Sequence, residues 1–222
     1  EAIRRLYTDD IVHDDARFQT YEEGIEDVMG IAEAMFSSQT PDVRFRASPE
    51  FGAGFVGDQR GIMVWEAWDV FGFTEESPLV EVDRLAIRDG LIASWELHYE
   101  TPGPHDVLVA YAAAWTSGEP AQITELYDPA AVREDPILGL LTTGADALRD
   151  AAGAFFIDHP GATWELLLPF GSGVTHGGVF AITDASGCPV MAAVVADIEG
   201  DRIVREEVYY EGTSLLACDW LS

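Results

Sequence analysis

Three aspartates set among apolar residues are the side chains of this sequence best suited to acid/base chemistry. They are Asp15, Asp83 and Asp135. An ionised carboxyl group without a partner is costly to bury, so each must be paired, protonated or at the edge of a core. An ionised aspartate can act as a general base, whereas a protonated one can donate a hydrogen bond to an oxygen that gains charge. For Asp15, the alternative is a turn-capping role at the end of a strand.

Asp83 is the most informative of the three acids. It lies between Val82 and Leu85 in a segment whose alternation predicts a strand. Side chains alternate along a strand, so Asp83 is expected on the same face as Leu85 and Ile87. A carboxyl group in that position is predicted to be protonated, paired or at an edge.

The segment that carries Asp15 occurs twice in the chain. Four of its residues recur 120 positions later without a gap: Leu6/Leu126, Tyr7/Tyr127, Asp15/Asp135 and Gly24/Gly144. Later pairs are separated by shorter distances, which indicates shorter loops in the second copy: Pro41/Pro160, Gly61/Gly178, Ile92/Ile203, Tyr99/Tyr210 and Glu100/Glu211. A period of about 110 residues matches one small domain and is too long for a solenoid repeat. The sequence therefore predicts a duplicated domain.

Aromatic residues near these acids are candidates for substrate binding. They are Trp65, Trp68, Trp95 and Trp164, to which we add His176. Trp65 and Trp68 are three positions apart in one strand and must face opposite sides, so one can line a pocket while the other packs outside. His176 stands beside a glycine, and a loop position is the alternative for it.

The acidic charge limits the kinds of partner. The formal net charge is −28, and all 12 basic residues are arginine. Such a surface repels phosphate backbones and anionic lipids, so we expect neither a nucleic-acid nor a membrane partner. Salt screens this self-repulsion, and the composition is therefore also typical of proteins from halophiles.

The two cysteines, Cys188 and Cys218, form no CxxC motif, and no histidine spacing suits zinc. We therefore predict two buried thiols and no metal or organic cofactor. No apolar run approaches the length of a membrane span, and the acidic start at Glu1 resembles no signal peptide. These features predict a cytoplasmic protein.

Local patterns place these residues on helices and strands of two domains. The predicted helices are 1–7, 20–36, 107–116 and 121–127, and the predicted strands are 11–18, 43–47, 61–73 and 79–88, with a hairpin turn at 88–90. The Pro/Gly joint 102–106 separates domain 1–101 from domain 107–222. Comparison of the copies predicts a further helix before Glu1. The tail is expected to pack Leu215, Leu216 and Trp220 against a sheet.

The order of these motifs resembles the NTF2-like superfamily, and within it the branch of ketosteroid isomerases and SnoaL-like polyketide cyclases. The resemblance rests on the strand motif LYxDDxxxxD, a glycine-led helix and long strands that end in IASWELHYE, and it covers nearly the whole chain twice. It implies an α+β fold of two tandem cone-shaped domains. Each would be a curved antiparallel sheet wrapped around helices, and the two would pack as an intrachain pseudo-dimer in a monomeric protein.

The resemblance also implies roles for the acids. Asp15 matches the general base of ketosteroid isomerase, and Asp83 matches the aspartic acid that stays protonated in an apolar site. In the second copy, Tyr111 and Asp135 are 24 positions apart, the spacing expected for the tyrosine donor and the base. Val194 occupies the position equivalent to Asp83, so this copy lacks the acid partner.

A second resemblance brings in another carboxylate. Lasalocid-type polyether epoxide hydrolases, also tandem proteins of this fold, place a glutamate near the aspartate, and Tyr111, Asp135 and Glu165 are similar to that set. However, Glu165 aligns with Arg46, which is expected to be solvated, so a surface position is the alternative for Glu165.

Three functions follow as hypotheses. The first is a cofactor-independent isomerase or cyclase for an apolar ketone, in which Asp15 or Asp135 is the base and Asp83 or Tyr111 the hydrogen-bond donor. The second is an epoxide hydrolase or epoxide-opening cyclase that pairs Asp135 with Glu165. The third is a small-ligand-binding protein without chemistry, which this fold also supports.

Overall fold

The computed structural model describes residues 3–15, 20–38, 44–48, 51, 53–56, 60–69, 72–103, 105–135, 139–218 and 220. The chain divides into two compact units, Glu1–Glu100 and Thr101–Ser222. Each unit contains one β-sheet and α-helix, which confirms the predicted α+β class with two tandem domains. None of the helices in the described residues is both long and apolar enough to cross a membrane.

The first unit is built on a seven-stranded sheet. Its elements are a 3₁₀ helix (Ile3–Leu6), β1 (Tyr7–Asp15), β2 (Thr20–Glu23), α1 (Ile25–Ser38), β3 (Arg44–Ala47), β4 (Ala53–Val56), β5 (Arg60–Trp68), β6 (Leu79–Arg88) and β7 (Leu91–Tyr99). The strand order is β2-β1-β7-β6-β5-β3, and β4 also pairs with β5. All neighbours are antiparallel except β1 and β7, which are parallel.

The second unit is built on a six-stranded sheet. Its elements are α2 (Asp106–Ser117), α3 (Pro120–Thr124), β8 (Tyr127–Asp135), β9 (Leu140–Thr143), α4 (Ala145–Asp158), β10 (Thr163–Ser172), β11 (Thr175–Thr183), β12 (Pro189–Glu199), β13 (Arg202–Tyr210) and α5 (Gly212–Ala217). The strand order is β10-β11-β12-β13-β8-β9. Again one pair, β13 and β8, is parallel and the others are antiparallel.

The two sheets repeat each other down to the pairing of individual residues. In the first unit Tyr7 lies opposite Ile92, and in the second Tyr127 lies opposite Ile203. The structure therefore supports the duplication through its register. The predicted pair Gly61/Gly178 is wrong. Gly178 lies opposite Val194, and in the first unit Met63 lies opposite Asp83, the equivalent of Val194. Gly178 is thus equivalent to Met63 and not to Gly61.

A glycine with a left-handed backbone separates strand from helix at the same place in both units. Gly24 has φ +97° and Gly144 has φ +84°. Each N–H donates to a carbonyl oxygen of the preceding long strand, Gly24 to Ile11 at 2.8 Å and Gly144 to Ala131 at 2.9 Å. Residues with a Cβ rarely adopt this conformation, so the type of residue fixes the turn.

This turn corrects the predicted helix 20–36. Residues 20–23 form β2, which pairs with β1 from Val12 to Asp15, and the helix α1 begins only after Gly24. Strand 61–73 was also predicted too long, since β5 ends at Trp68, and β4 was not predicted at all. Residues 16–18 of the predicted strand 11–18 lie outside the described residues. The hairpin at 88–90 is confirmed, with positive φ at Asp89 and Gly90 as a tight two-residue turn requires.

The core of the second unit lies between one face of its sheet and the helices α2, α3 and α4. Alternate residues of β12 and β13 point into it, from Val190 to Ile198 and from Val208 to Tyr210. The helix α2 contributes Tyr111 and Trp115, both fully or almost fully buried. We call this side of each sheet, which carries the apolar cluster beneath the helices, the inner face.

The two cysteines form a disulfide bond, Cys188–Cys218, so the prediction of two buried thiols is wrong. The bond joins the turn before β12 to the end of α5, across 30 residues of chain. The sequence alone did not indicate this bond, because Cys188 and Cys218 come together only when α5 packs beside β12. Closing a loop of this length stabilises a fold by about 3–4 kcal/mol through the entropy of the unfolded chain.

The tail packs only in part as predicted. Leu215 is buried, and Trp220 is half-buried with its ring stacked on His159 at 4.1 Å between centroids. Leu216 is 75% exposed, so its predicted packing is wrong. Neighbouring residues of a helix face different sides, which is why only Leu215 reaches the core.

A glycine substitution tests the tight packing between β10, β11 and β12. A Cβ at Gly177 would clash with the backbone carbonyl of Val194 and the ring of Phe170. We expect Gly177→Ala to lower the free energy of unfolding by about 1–3 kcal/mol, measured by urea denaturation. The matched control is Gly153→Ala in α4, where the nearest atom lies 3.9 Å away. It should be neutral or stabilise by up to about 1 kcal/mol; equal effects of the two substitutions would contradict this packing.

Candidate active site

The inner face of the first unit brings the predicted acids together. On β1, His13 and Asp15 are buried while Asp14 between them is exposed. On β6, Asp83 lies opposite Met63 of β5 and Leu97 of β7. Leu97 in turn lies beside Asp15 in the parallel pair of β7 and β1. Asp15 and Asp83 therefore lie on one face, two strands apart, and each is 6% exposed.

Asp15 has a defined partner at the end of β7. The hydroxyl of Tyr99 donates a hydrogen bond to Oδ2 of Asp15 at 2.9 Å, and both residues are buried. The turn-capping alternative for Asp15 predicts an exposed carboxyl at a strand exit, and the burial of Asp15 disagrees with it. The structure thus places a buried carboxyl with a phenol donor at the position matched to the base.

Asp83 lies in a different environment. Burial raises the pKa of Asp83 to about 7, with smaller contributions from the negative charges of Glu81 and Asp15. The nearby indole groups of Trp95 and Trp65 act in the opposite direction. Even so, Oδ1 of Asp83 and Nε1 of Trp95 are both buried without an aligned hydrogen-bond partner among the described residues. A buried polar atom in this state calls for an explanation, and the second unit has such atoms too, at Nε of Arg133 and Nε1 of Trp115 and Trp164.

Aromatic rings surround the two acids. Trp95 stacks with Tyr7 at 6.2 Å between centroids and meets the ring of His13 edge-on at 4.9 Å. Burial raises the pKa of the Tyr7 phenol, and the negative charge of Asp83 adds to this effect. Trp65 lies on β5 opposite Glu81 of β6, and it is half-buried on the same face.

Trp68 lies elsewhere. Its odd separation from Trp65 puts it on the opposite face of β5, where the guanidinium of Arg46 lies 5.3 Å from the ring centroid. Arg46 also forms an ion pair with Glu66, its neighbour across β3 and β5. The expectation that one of these two tryptophans faces the site and the other packs outside agrees with this geometry. The sequence had suggested that Arg46 is solvated. The structure adds that its guanidinium also contacts Trp68 and Glu66.

The second unit keeps the aspartate and its tyrosine but not the second acid. Asp135 is 1% exposed, and the hydroxyl of Tyr210 donates to its Oδ2 at 3.1 Å. Val194, opposite Gly178 and Val208, occupies the place of Asp83. The predicted absence of an acid partner in this copy is therefore correct.

A buried cluster around Glu206 fills the remaining polar part of this inner face. Glu206 is fully buried; it accepts hydrogen bonds from the hydroxyls of Tyr111 at 2.6 Å and of Tyr127, and it pairs with Nε of Arg133 at 3.2 Å. Burial and the charge of Glu206 raise the pKa values of both phenols well above their ordinary range. Burial lowers the pKa of Arg133, but the charge of Glu206 outweighs it. Both oxygens of Glu206 thus have donors within the protein.

Tyr111 and Trp164 are part of this packed interior. The ring of Tyr111 contacts Trp115, Trp164 and Phe180 at centroid distances of 6.0, 5.7 and 5.6 Å. Trp115 and Trp164 are stacked at 5.1 Å. The predicted donor Tyr111 therefore bonds to Glu206, not to Asp135, and its hydroxyl is already engaged.

Glu165 and His176 differ from their predicted places. Glu165 is exposed, and it alternates with the buried Trp164, so it lies on the opposite face of β10 from the core. A pocket position for Glu165 is therefore wrong, because the strand directs it outward. His176 lies on β11, not in a loop, and its ring is 4.5 Å from that of His105 at the start of α2.

Sequence reasoning missed four residues that take part in these buried polar contacts: Tyr99, Tyr210, Arg133 and Glu206. A signal existed for the tyrosines, because Tyr99 and Tyr210 recur in the repeat register. No local signal existed for Glu206, whose equivalent in the first unit is Trp95, as the pairing of His13 with Trp95 and of Arg133 with Glu206 shows. Among the described residues, no group of three or more His, Cys, Asp or Glu side chains is arranged to hold a metal ion.

The raised pKa of Asp83 predicts a pH dependence of stability. The pKa is about 7 in the folded state against 3.8 for an ordinary aspartate, so between these values the unfolded chain releases a proton that the folded chain keeps. Stability therefore falls as pH rises from about 4 to 7, by on the order of 4 kcal/mol. Asp83→Asn should lack this contribution. Urea denaturation of both proteins at several pH values checks it, and parallel curves would contradict the environment of Asp83.

The Glu206 cluster predicts a large cost for losing its cation. Arg133→Met leaves a buried carboxylate without a countercharge, which should lower the free energy of unfolding by about 3–5 kcal/mol. The control is Arg149→Met, which removes an exposed ion pair with Asp146 and should change little. Thermal and urea unfolding of the two variants measure the difference. A mild effect of Arg133→Met would show that the cluster is not buried and charged as described.

Known proteins were compared with this chain. No curated protein matches it. Among solved structures, a protein with a ketosteroid isomerase-like fold from Catenulispora acidiphila, solved with trimethylamine, is 21% identical with a TM-score of 0.46; the match covers 52% of this chain and 92% of that one. A putative polyketide cyclase from Sinorhizobium meliloti is 23% identical with a TM-score of 0.43, over 47% of this chain and 94% of that one. An NTF2-like protein of unknown function from Burkholderia xenovorans is 22% identical with a TM-score of 0.42, over 48% and 80%.

The family comparison concerns the second unit. A model of the SnoaL-like domain matches residues 108–206, from the start of α2 to the middle of β13. The first unit has the same strand order and register as this segment, as described above. The second unit therefore matches the SnoaL-like domain over residues 108–206, and the first unit repeats its sheet.

Proposed function

We propose that the first unit is an acid/base enzyme for an apolar small molecule that contains a carbonyl group, as an isomerase or a cyclase. The observation that carries this proposal is the state of Asp83, which is buried on the same face as a second buried acid, Asp15, and whose Oδ1 has no aligned hydrogen-bond partner among the described residues. A group whose charged form is disfavoured by burial and by neighbouring charges is a candidate for function, because it weakens the fold that contains it.

The two acids suit opposite roles. Asp15, with its phenol donor, takes a proton from the carbon next to the carbonyl group and returns it to another carbon. Asp83, in its protonated form, donates a hydrogen bond to the carbonyl oxygen while that oxygen gains negative charge. General base catalysis contributes about 10²–10⁴ in rate and such an oxyanion donor about 10²–10³. No further reactant is needed for this proton transfer.

The rings around the acids suit an apolar substrate. Trp65, Trp95 and Tyr7 are half-buried on the same face and offer flat apolar surfaces beside the carboxyl groups. The indole N–H of Trp95 lies beside Asp83, and among the described residues it has no aligned hydrogen-bond partner. An apolar body with one oxygen acceptor fits these groups, since the rings would contact the body and the donors the oxygen.

The second unit has a structural role in this proposal. Both oxygens of Glu206 accept hydrogen bonds from phenols within this unit, and Val194 replaces the second acid. Tyr111 and Trp164 fill the inner face instead of lining an opening. The alternative of epoxide opening by Asp135 and Glu165 loses its basis, because Glu165 lies on the opposite face of β10.

Matched substitutions in the two units test the proposal. The assay is the exchange of protons for deuterium next to the carbonyl of a panel of cyclic apolar ketones, followed by mass spectrometry. We expect Asp15→Asn to reduce exchange by at least about 10²-fold, and Asp83→Leu to reduce it by a similar factor. Asp135→Asn, the equivalent change in the second unit, should leave exchange nearly unchanged as long as the variant is folded.

Three results would contradict the proposal. Full activity of Asp15→Asn would exclude the first unit as the site of chemistry, and loss of activity only in Asp135→Asn would assign it to the second. A third result, tight binding of the ketones without any exchange in the unmodified protein, would show a binding protein that carries no chemistry.

A further inference from the structure

We propose that Tyr99 is a positioning residue that makes Asp15, and not Asp83, the base of the pair. This inference rests on the proposed function of the first unit. It answers a question which that function leaves open: why two aspartates on one face, both 6% exposed, take opposite roles.

The hydroxyl of Tyr99 is held in a fixed place. Its ring is buried in an apolar cluster with Ala67, Leu79 and Leu97. Leu97 lies directly beside Asp15 in the parallel pair of β7 and β1, and Tyr99 is two residues further along β7 on the same face. This diagonal distance is within reach of a long aromatic side chain. The phenol therefore meets Oδ2 of Asp15 at 2.9 Å and fixes the orientation of the carboxyl plane.

The same phenol can act only as a donor over the working pH range. Burial raises the pKa of Tyr99 far above its ordinary value, and the charges of Glu81, Asp15 and Asp83 act in the same direction. A hydrogen bond donated to a carboxylate favours its ionised form. Asp83 has no aligned donor to its Oδ1 among the described residues. Two like acids in different hydrogen-bonding environments thus separate into a base and a proton donor.

Other charged groups face this pair and are part of any pH effect. Glu81 and Asp83 approach Tyr99 from β6. On the other side, His13 of β1 pairs with Glu22 of β2 at 2.8 Å, two residues from Asp15. None of these groups is changed by the substitutions below, so their contribution is common to all the variants compared.

The second unit supplies a matched comparison. Tyr210 donates to Asp135 at 3.1 Å in the equivalent position, and both residues are buried. There the second acid is replaced by Val194, so the pair has no partner with which to share the roles. If the tyrosine only supports packing, removing it should have the same consequences in both units.

The test uses the full chain and the deuterium-exchange assay. We expect Tyr99→Phe to lower kcat about tenfold or more with KM within about twofold, since the hydroxyl contacts the base and not the substrate. The acidic limb of the pH profile of kcat/KM should differ from that of the unmodified protein, because the hydroxyl no longer donates to the base. Tyr210→Phe should lower stability by a similar amount and leave both the rate and the profile unchanged.

A second variant covers the case in which Tyr99→Phe does not fold. A ring-fluorinated tyrosine placed at position 99 keeps the shape of the side chain but donates more strongly, so the acidic limb should move to lower pH. An unchanged profile in this variant would overturn the inference, since a residue with only a packing role would not respond to donor strength.

The outcomes separate this inference from the proposed function. If Asp15→Asn is inactive while both Tyr99 variants keep the unmodified profile, Tyr99 is structural and the function stands. If Asp15→Asn is fully active, or if no ketone is exchanged by the unmodified protein, the proposed function fails and the role of Tyr99 fails with it.

Discussion

The structure depends on how each sheet compensates the carboxyl groups that it turns toward its own core. A buried acid without donors or a countercharge loses more than the fold gains from packing around it. Asp15 and Asp135 each receive a phenol hydrogen bond. Glu206 receives two phenols and a guanidinium. The indoles of Trp95 and Trp65 lower the pKa of Asp83, but burial outweighs them, so Asp83 keeps its proton to higher pH.

The two units share a backbone arrangement but differ in the side chains of the inner face. Their strands follow the same order, and the parallel pair has the same register in both. The differences lie at a few inner positions, where His13, Trp95 and Asp83 of the first unit stand in place of Arg133, Glu206 and Val194. The second unit thus has a buried ion pair with phenol donors where the first has a buried acid beside indole and imidazole rings. The chemical asymmetry of the chain therefore comes from side chains and not from topology.

An uncompensated acid is informative because it lowers stability. Packing alone would favour an apolar residue at position 83, as the second unit has with Val194, which is fully buried. Retaining the acid costs free energy, which makes position 83 a candidate for a use outside folding. Glu206 differs from Asp83 in this respect, because its two phenol donors and its guanidinium partner stabilise the buried carboxylate.

The sequence by itself determined the duplication, the α+β class and the direction of the acids, because a strand alternates its side chains and a repeated register places equivalent residues alike. The sequence also aligned Glu165 with Arg46, at a position expected to face away from the core. Only the tertiary structure decided the partners. Tyr99 meets Asp15 across 84 residues and Tyr111 meets Glu206 across 95, and the disulfide needs α5 to return to β12. Local periodicity determines the face of the sheet on which a side chain lies. Its hydrogen-bond partners come from strands that are distant in sequence. The number of possible roles for each acid could therefore be reduced only from the assembled sheets.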